Sequence, residues 1–191
     1  MNPFQKFTTW LTEECKSHNL RFPAACCFST IGVDGYPNAR FVSLKEVTDD
    51  GFIITGTLSS QKGVEITQKP TAALTFWWTA TERQVRIQGD LVEISETQAE
   101  RYFSQRNRDS QLVSTVFNQG EKIVSFDMMK AQFKQQKEAL QDASIEKPEN
   151  WSGICILPKR IEFMDFKVSR LHERTIFEKQ HERWEIYCIQ P

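Results

Sequence analysis

No run of apolar residues in this sequence approaches the roughly 18–20 needed to cross a bilayer. The opening Met1-Asn2-Pro3-Phe4-Gln5-Lys6 has no continuous apolar stretch behind it, so neither a membrane span nor a signal peptide is expected. An excess of charge is missing too. The 24 Lys and Arg are balanced by 25 Asp and Glu, which argues against general nucleic-acid binding but leaves room for a local basic pocket that takes a phosphate. Histidine is scarce, at three residues, and the five cysteines (Cys15, Cys26, Cys27, Cys155, Cys188) are odd in number with no Cys-x-x-Cys spacing. A zinc site or a disulfide framework is therefore not expected; reduced, mostly buried thiols in a cytoplasmic protein are. Also absent are a G-x-G-x-x-G after a strand, a Walker loop, G-x-S-x-G and H-E-x-x-H. A doubly wound nucleotide fold, a hydrolase and a metalloenzyme thus have little support.

The 191 residues fit one domain with a real core, and 39% hydrophobic with 26% charged residues is the balance of an ordinary globular chain. Asn2-Pro3 suits a helix start, with Phe4, Phe7, Leu11 and Cys15 on one face, Trp10 beside it and a stop at Asn19. Strands follow at Ala24 to Ile31, Arg40 to Val47 and Phe52 to Thr55, joined by turns at Asp34-Gly35 and Asp49-Asp50-Gly51. Ser59-Ser60 can cap a short helix ending before Pro70. Thr71 to Trp78 and Gln84 to Ile94 read as longer strands, with Val85, Ile87 and Leu91 on one face. Ser95 to Gln98 has capping-box spacing for a helix carrying Tyr102, Phe103 and Arg106. A short helix through Leu112 and Val116 and an amphipathic one from Phe126 to Leu140 come next. Ile154 to Phe166 and Thr175 to Ile189 read as closing strands, the second broken near His181-Glu182. Short strands, tight turns and inserted helices predict a mostly β chain, an antiparallel barrel plus α.

Four segments carry more polar chemistry than a strand or helix needs. In Arg40-Phe41-Val42-Ser43-Leu44-Lys45 the two cations fall on opposite strand faces and could serve two anions; solvated charges on an edge strand are the plainer reading. Ser59-Ser60-Gln61-Lys62 opens a helix with hydroxyls and a cation, which suits a phosphate as well as an ordinary cap. Tyr102 and Arg106 share a helix face, with Ser110 a turn on, as a phosphate monoester or a solvated face would require. In an extended Arg170-Leu171-His172-Glu173-Arg174, two guanidiniums and an imidazole point one way. They would repel unless something anionic or electron-rich covers them; the alternative is a polar outer face.

Taken in order, Arg40 to Lys45, Ser60-Gln61-Lys62, Glu82-Arg83-Gln84-Val85, Tyr102 to Gln111, Trp151-Ser152-Gly153 and Arg170 to Arg174 resemble the pyridoxamine 5′-phosphate oxidase family over nearly the whole chain. The resemblance implies a single FMN-binding split-barrel domain over residues 1–191, working as a homodimer with FMN at the subunit interface. It implies oxidation of pyridoxamine or pyridoxine 5′-phosphate to pyridoxal 5′-phosphate, with dioxygen as acceptor and hydrogen peroxide released. Arg40 and Lys62 would hold the FMN phosphate. The strand residues Arg40, Phe41, Val42, Ser43 and Lys45, with Gln84, Gln119 and Arg174, would contact the ribityl chain or ring. Lys45, Tyr102, Arg106 and Ser110 would grip the substrate phosphate, and Arg170 and His172 would lie at its reacting carbon.

At four flavin positions the sequence departs from the family pattern. Thr55-Gly56 stands for Tyr-Thr, Gln61-Lys62 for Arg-Lys, Gln119-Gly120 for Gln-Ser, and Met164 for Trp. Weaker FMN binding is the expectation. The sequence also begins close to the first helix, without the extra segment many members carry, which would leave the substrate less enclosed. Retention of the phosphate-gripping residues favours a vitamin B6 phosphate over the ring substrate of a phenazine-precursor oxidase. A non-catalytic binder of FMN or pyridoxal phosphate is the competing reading of another class.

Overall fold

The computed structural model describes residues 2–17, 24–141 and 143–191. Along them run α1 (Pro3–Ser17), β1 (Ala25–Ile31), β2 (Pro37–Val47), β3 (Phe52–Thr57), α2 (Gln61–Gln68), β4 (Thr71–Trp78) and β5 (Arg83–Glu93). Then come α3 (Glu96–Ser104), α4 (Arg108–Val116), α5 (Phe126–Leu140), β6 (Trp151–Asp165), β7 (Glu173–Gln180) and β8 (Arg183–Ile189). The strands join in the order β3-β2-β1-β4-β5-β6-β7-β8, and β3 pairs also with β6. That extra pairing closes six strands into an antiparallel barrel, with the β7–β8 hairpin continuing from β6. The mostly β architecture with inserted helices expected from the sequence is the one adopted.

Local chemistry explains most boundaries. The Asn2 side chain accepts the Phe4 N–H at 2.8 Å and starts α1. The Asp34-Gly35 turn places Gly35 at φ 85°, a region that favours glycine, and the Gly32 N–H donates to the Tyr36 carbonyl at 2.7 Å. From there the β1–β2 ladder runs from Ile31 against Pro37 to Ala25 against Ser43, so β2 begins three residues earlier than expected. In β5 the alternation of Val85, Ile87, Gly89 and Leu91 inward with polar residues outward is fully realised. A Cβ on Gly89 would lie 2.2 Å from the Leu157 carbonyl oxygen, so the two backbones approach as only glycine permits. Ser95 and Gln98 form the expected capping box of α3.

The chain divides into two compact units, Met1–Ile54 with Glu65–Val92 and Ile154–Pro191, and Thr55–Val64 with Glu93–Gly153. The first has an aromatic core in which Phe7 lies 4.9 Å from both Phe52 and Phe76, ring to ring, and Phe163 packs on Phe177 at 5.5 Å. Each such buried ring contributes about 1.5–3 kcal/mol. The second packs Ala99, Tyr102, Phe103, Leu112 and Trp151, with Phe103 edge-on to Trp151 at 5.1 Å.

Several expectations change. Cys15 is exposed, and Glu14 takes the buried place on α1, because its carboxylate accepts the Ala80 and Thr81 N–H groups at 3.1 and 2.9 Å and the Thr81 hydroxyl at 2.9 Å. The five cysteines are free thiols, but only Cys26 is fully buried, and burial, with the neighbouring Cys27, pushes it up to about 12. The amphipathic α5 buries no side chain. β6 starts at Trp151 and stops at Asp165, short of Phe166. The helix stop placed at Asn19 falls outside the described residues. Among the described residues no helix is long and apolar enough to cross a membrane.

Glu14→Ala leaves three donors of the β4–β5 turn without their acceptor. The expected loss is on the order of 2 kcal/mol, or a thermal midpoint roughly 4–8 °C lower. Calorimetry showing an unchanged midpoint would mean the turn holds without this carboxylate.

Candidate functional site

Each unit holds its own candidate groups. In the first, β2 turns Arg40, Val42 and Leu44 inward and Phe41, Ser43 and Lys45 outward, as strand parity requires, with Phe41 81% exposed. Arg40 is strongly engaged within the protein. Its Nη2 lies 2.9 Å from Glu65 Oε2, and its Nη1 donates to Thr30 Oγ1 and, at 3.3 Å, to the Phe28 carbonyl. Glu65, on α2, is 2% exposed and accepts from Thr30 and Asn38 as well. Burial pushes this carboxyl up, yet hydrogen bonds from Thr30, Asn38 and Arg40 and the Arg40 charge outweigh it, leaving the pKa below the ordinary value. Sequence reasoning singled out Arg40 and did not single out its partner Glu65. The only signal lay in strand register, which sets Thr30 opposite Asn38, two residues before Arg40.

The same unit brings Gln84 to Met164, amide nitrogen to sulfur at 3.9 Å. Arg174 grips Glu162 through Nε at 2.8 Å and Nη2 at 2.7 Å, while Arg86 reaches the other oxygen at 3.4 Å. The extended run expected from Arg170 to Arg174 does not form. β7 begins only at Glu173, and Arg170 ends a turn at φ 65°, its N–H donating to the Lys167 carbonyl at 2.9 Å. The Lys167 N–H in turn donates to His172 Nδ1 at 3.1 Å, and the imidazole packs on Phe166 at 4.6 Å.

In the second unit, Thr55 and Gly56 lie near the end of β3, and Gln61 and Lys62 open α2. Lys62 Nζ donates to Ser60 Oγ at 2.9 Å and to Gln119 Oε1 at 3.0 Å, across 57 residues of chain. A Cβ on Gly56 would lie 3.3 Å from Lys62 Cε, so the missing side chain leaves the lysine its lane. Gly120, beside Gln119, sits at φ 95°. An ammonium, a hydroxyl and a carboxamide at the first turn of a helix fit the phosphate end of FMN.

Also in this unit, Tyr102 is almost wholly buried, at 2% exposure. Arg106 falls between helices, because α3 ends at Ser104 and Asn107 caps α4 by accepting the Ser110 N–H. Its guanidinium lies over the Trp151 ring at 5.1 Å and donates to Ser114 Oγ at 2.8 Å. Burial draws its pKa down. Ser114, four residues beyond Ser110 on α4, was missed by sequence reasoning although its helical spacing was visible. Among the described residues no carboxylate lies within ion-pair distance of Arg106. Nor, among them, does any group of three His, Cys, Asp or Glu side chains suit a metal ion.

Residues 11–139 match the sequence family described as pyridoxamine 5′-phosphate oxidase, and residues 151–191 match the pyridoxine 5′-phosphate oxidase C-terminal dimerisation region. The chain is 36% identical over 191 residues to the pyridoxine/pyridoxamine 5′-phosphate oxidase of Trichormus variabilis, covering all of this chain and 89% of that one. With the Leptospira biflexa protein of the same name it shares 36% over 183 residues, 96% of this chain and 86% of that one. Two solved structures share the fold. PhzG from Burkholderia lata, in complex with tetrahydrophenazine-1-carboxylic acid, superposes with a TM-score of 0.93 at 23% identity, covering 100% and 93% of the two chains. A pyridoxamine 5′-phosphate oxidase-related, FMN-binding protein from Nostoc punctiforme does so with 0.82 at 16%, covering 100% and 98%.

The Glu65 cluster gives the first unit an acid-sensitive contribution to stability. A carboxyl whose folded pKa lies below its unfolded value of about 4.3 stabilises fully above that pH, and the benefit is lost as pH falls through the folded value. Glu65→Gln should lower stability at neutral pH, where Arg40 loses its counter-charge, and flatten the acid limb of unfolding curves recorded from neutral down to about pH 3. Parallel acid limbs in the two proteins would remove Glu65 from that role.

Proposed function

The chain belongs to the pyridoxamine 5′-phosphate oxidase family, and on that premise we propose that it is an FMN-dependent oxidase converting pyridoxamine or pyridoxine 5′-phosphate to pyridoxal 5′-phosphate. The observation that carries this reading is Arg106. A part-buried guanidinium backed by an aromatic ring and a hydroxyl, without a carboxylate partner among the described residues, is best satisfied by an external anion. A phosphate monoester supplies the two charges and the planar pairing that arginine favours.

Lys45, Tyr102, Arg106 and Ser110 take the substrate phosphate in this proposal, and Arg170 and His172 take the ring and its reacting end. Anchoring the phosphate fixes the reacting carbon, and orientation then contributes much of the rate. The FMN phosphate falls to Lys62 and Arg40, the latter sharing its charge with Glu65. Phe41, Val42, Ser43, Thr55, Gly56, Gln61, Gln84, Gln119, Gly120, Met164 and Arg174 line the rest of the cofactor. When bound, FMN supplies a two-electron acceptor that dioxygen regenerates with release of hydrogen peroxide. Weaker FMN binding than is usual for the family follows from the shared Arg40 charge and from Gln61, Gly120 and Met164. The match of residues 151–191 to a dimerisation region supports a homodimer with FMN at the subunit interface, and five free thiols suit a cytoplasmic setting.

The test supplies FMN, pyridoxine 5′-phosphate and air, and follows aldehyde and peroxide. A yellow but inert protein would favour the binding reading, and turnover of an unphosphorylated ring compound alone would favour another oxidase substrate. Arg106→Ala should raise KM for the phosphorylated substrate by roughly 10–100-fold, the loss of one charge-assisted anchor, with kcat changed far less. An unchanged KM would take Arg106 out of the phosphate site.

A further inference from the structure

The loop between β6 and β7 holds an imidazole by two of its neighbours in the chain. His172 Nδ1 receives the Lys167 backbone N–H at 3.1 Å. A backbone N–H can only donate, so Nδ1 carries its lone pair there and the ring proton sits on Nε2. Turning the ring over would set a carbon against that N–H. One face of the ring is covered by Phe166, with centroids 4.6 Å apart and planes at 50°. Phe166 is itself braced edge-on by Trp77, at 4.8 Å and 78°. The loop is closed besides by the Arg170 N–H on the Lys167 carbonyl at 2.9 Å. Ring rotation and tautomer are thus both set by neighbours within the same unit.

From this geometry we infer that His172 is a fixed hydrogen-bond donor at the reacting end of the substrate, with Phe166 as its positioning residue. The inference rests on the oxidase reading for what the imidazole faces, and on the loop alone for its tautomer. One nitrogen is engaged and the other is protonated, so the ring has no lone pair to offer. Taking a proton from the substrate would require Nδ1 to give up Lys167. His172 therefore does not act as a base. A donor-only imidazole also selects its partner. It can pair with the oxygen of an alcohol or with the lone pair of a neutral amine, and it has nothing to pair with an ammonium. The form of the amine that binds productively is then the uncharged one, and the alcohol substrate needs no such preparation.

The experiment uses the full chain, loaded with FMN and labelled with ¹⁵N at its three histidines, with a His172→Gln spectrum to assign the signals. At neutral pH, Nε2 of His172 should show the shift of a protonated nitrogen and Nδ1 that of a hydrogen-bonded bare one. Phe166→Leu should draw the two shifts toward each other as the ring gains freedom, and Phe166→Tyr should restore them. A proton on Nδ1, or shifts indifferent to Phe166→Leu, would overturn the inference. Turnover supplies a second arm. His172→Gln keeps an N–H donor near the same place and should hold kcat within roughly tenfold of the unsubstituted protein, whereas His172→Leu should lose about a hundredfold, the scale for one aligned donor. Equal losses in the two would overturn the donor role. Absence of turnover in the unsubstituted protein would count against the oxidase reading alone, because the spectrum still decides the tautomer.

Discussion

The two edges of an open sheet carry rows of unpaired N–H and C=O groups, and in the six-stranded part of this one they are matched to each other where β3 meets β6. Much else is fixed by that closure. Once a strand is part of the ring, side-chain parity becomes inside against outside, so alternate residues of β1, β2, β4 and β5 must fill an interior. Large aromatic residues do so: Phe28 of β1 and Phe76 of β4 are wholly buried, and Phe52 of β3 and Phe7 of α1 join them. Outward parity turns Phe41, Ser43 and Lys45 away from that interior. Closure also sets tolerances, as at Gly89, where the β6 backbone occupies the space a side chain would need.

Charge is handled by a common device. Glu14, Glu65 and Glu162 are all nearly buried, and each is surrounded by donors drawn from elsewhere in the chain. An isolated buried carboxylate would be very costly, so every one of them fixes the groups that satisfy it. Glu162 aligns Arg174 with Arg86, and Glu65 aligns Arg40 with Thr30 and Asn38. Cations singled out as ligand-binding therefore come in two kinds. Arg40 and Arg174 are paired with buried carboxylates; Arg106 is backed by a ring and a hydroxyl, with no carboxylate within ion-pair distance among the described residues.

Much of this was legible in the residues. Parity in β2 and β5, the Asp-Gly hairpin and the Ser95–Gln98 capping box are local rules, and local rules survive folding. The partners of the candidate residues were harder to see. That Lys62 meets Gln119 depends on a contact across 57 residues, and that Glu65 meets Arg40 depends on the ladder between β1 and β2. On α1 the period favoured Cys15 for the buried face, yet Glu14 was taken in because the Ala80–Thr81 turn supplied donors that a thiol could not satisfy. The extended reading of Arg170 to Arg174 failed for a similar reason. A loop held by a side-chain-to-backbone bond outcompeted the strand, and period-two patterning cannot register such a bond.

Arg170 has a wider meaning. At φ 65° a residue with a side chain sits about 1 kcal/mol or more above what glycine would, and asparagine would also be more comfortable. A search for thermostable variants would target this position early. A glycine there would relieve that backbone cost and remove the guanidinium in the same change, so durability and the cation cannot both be had at this turn.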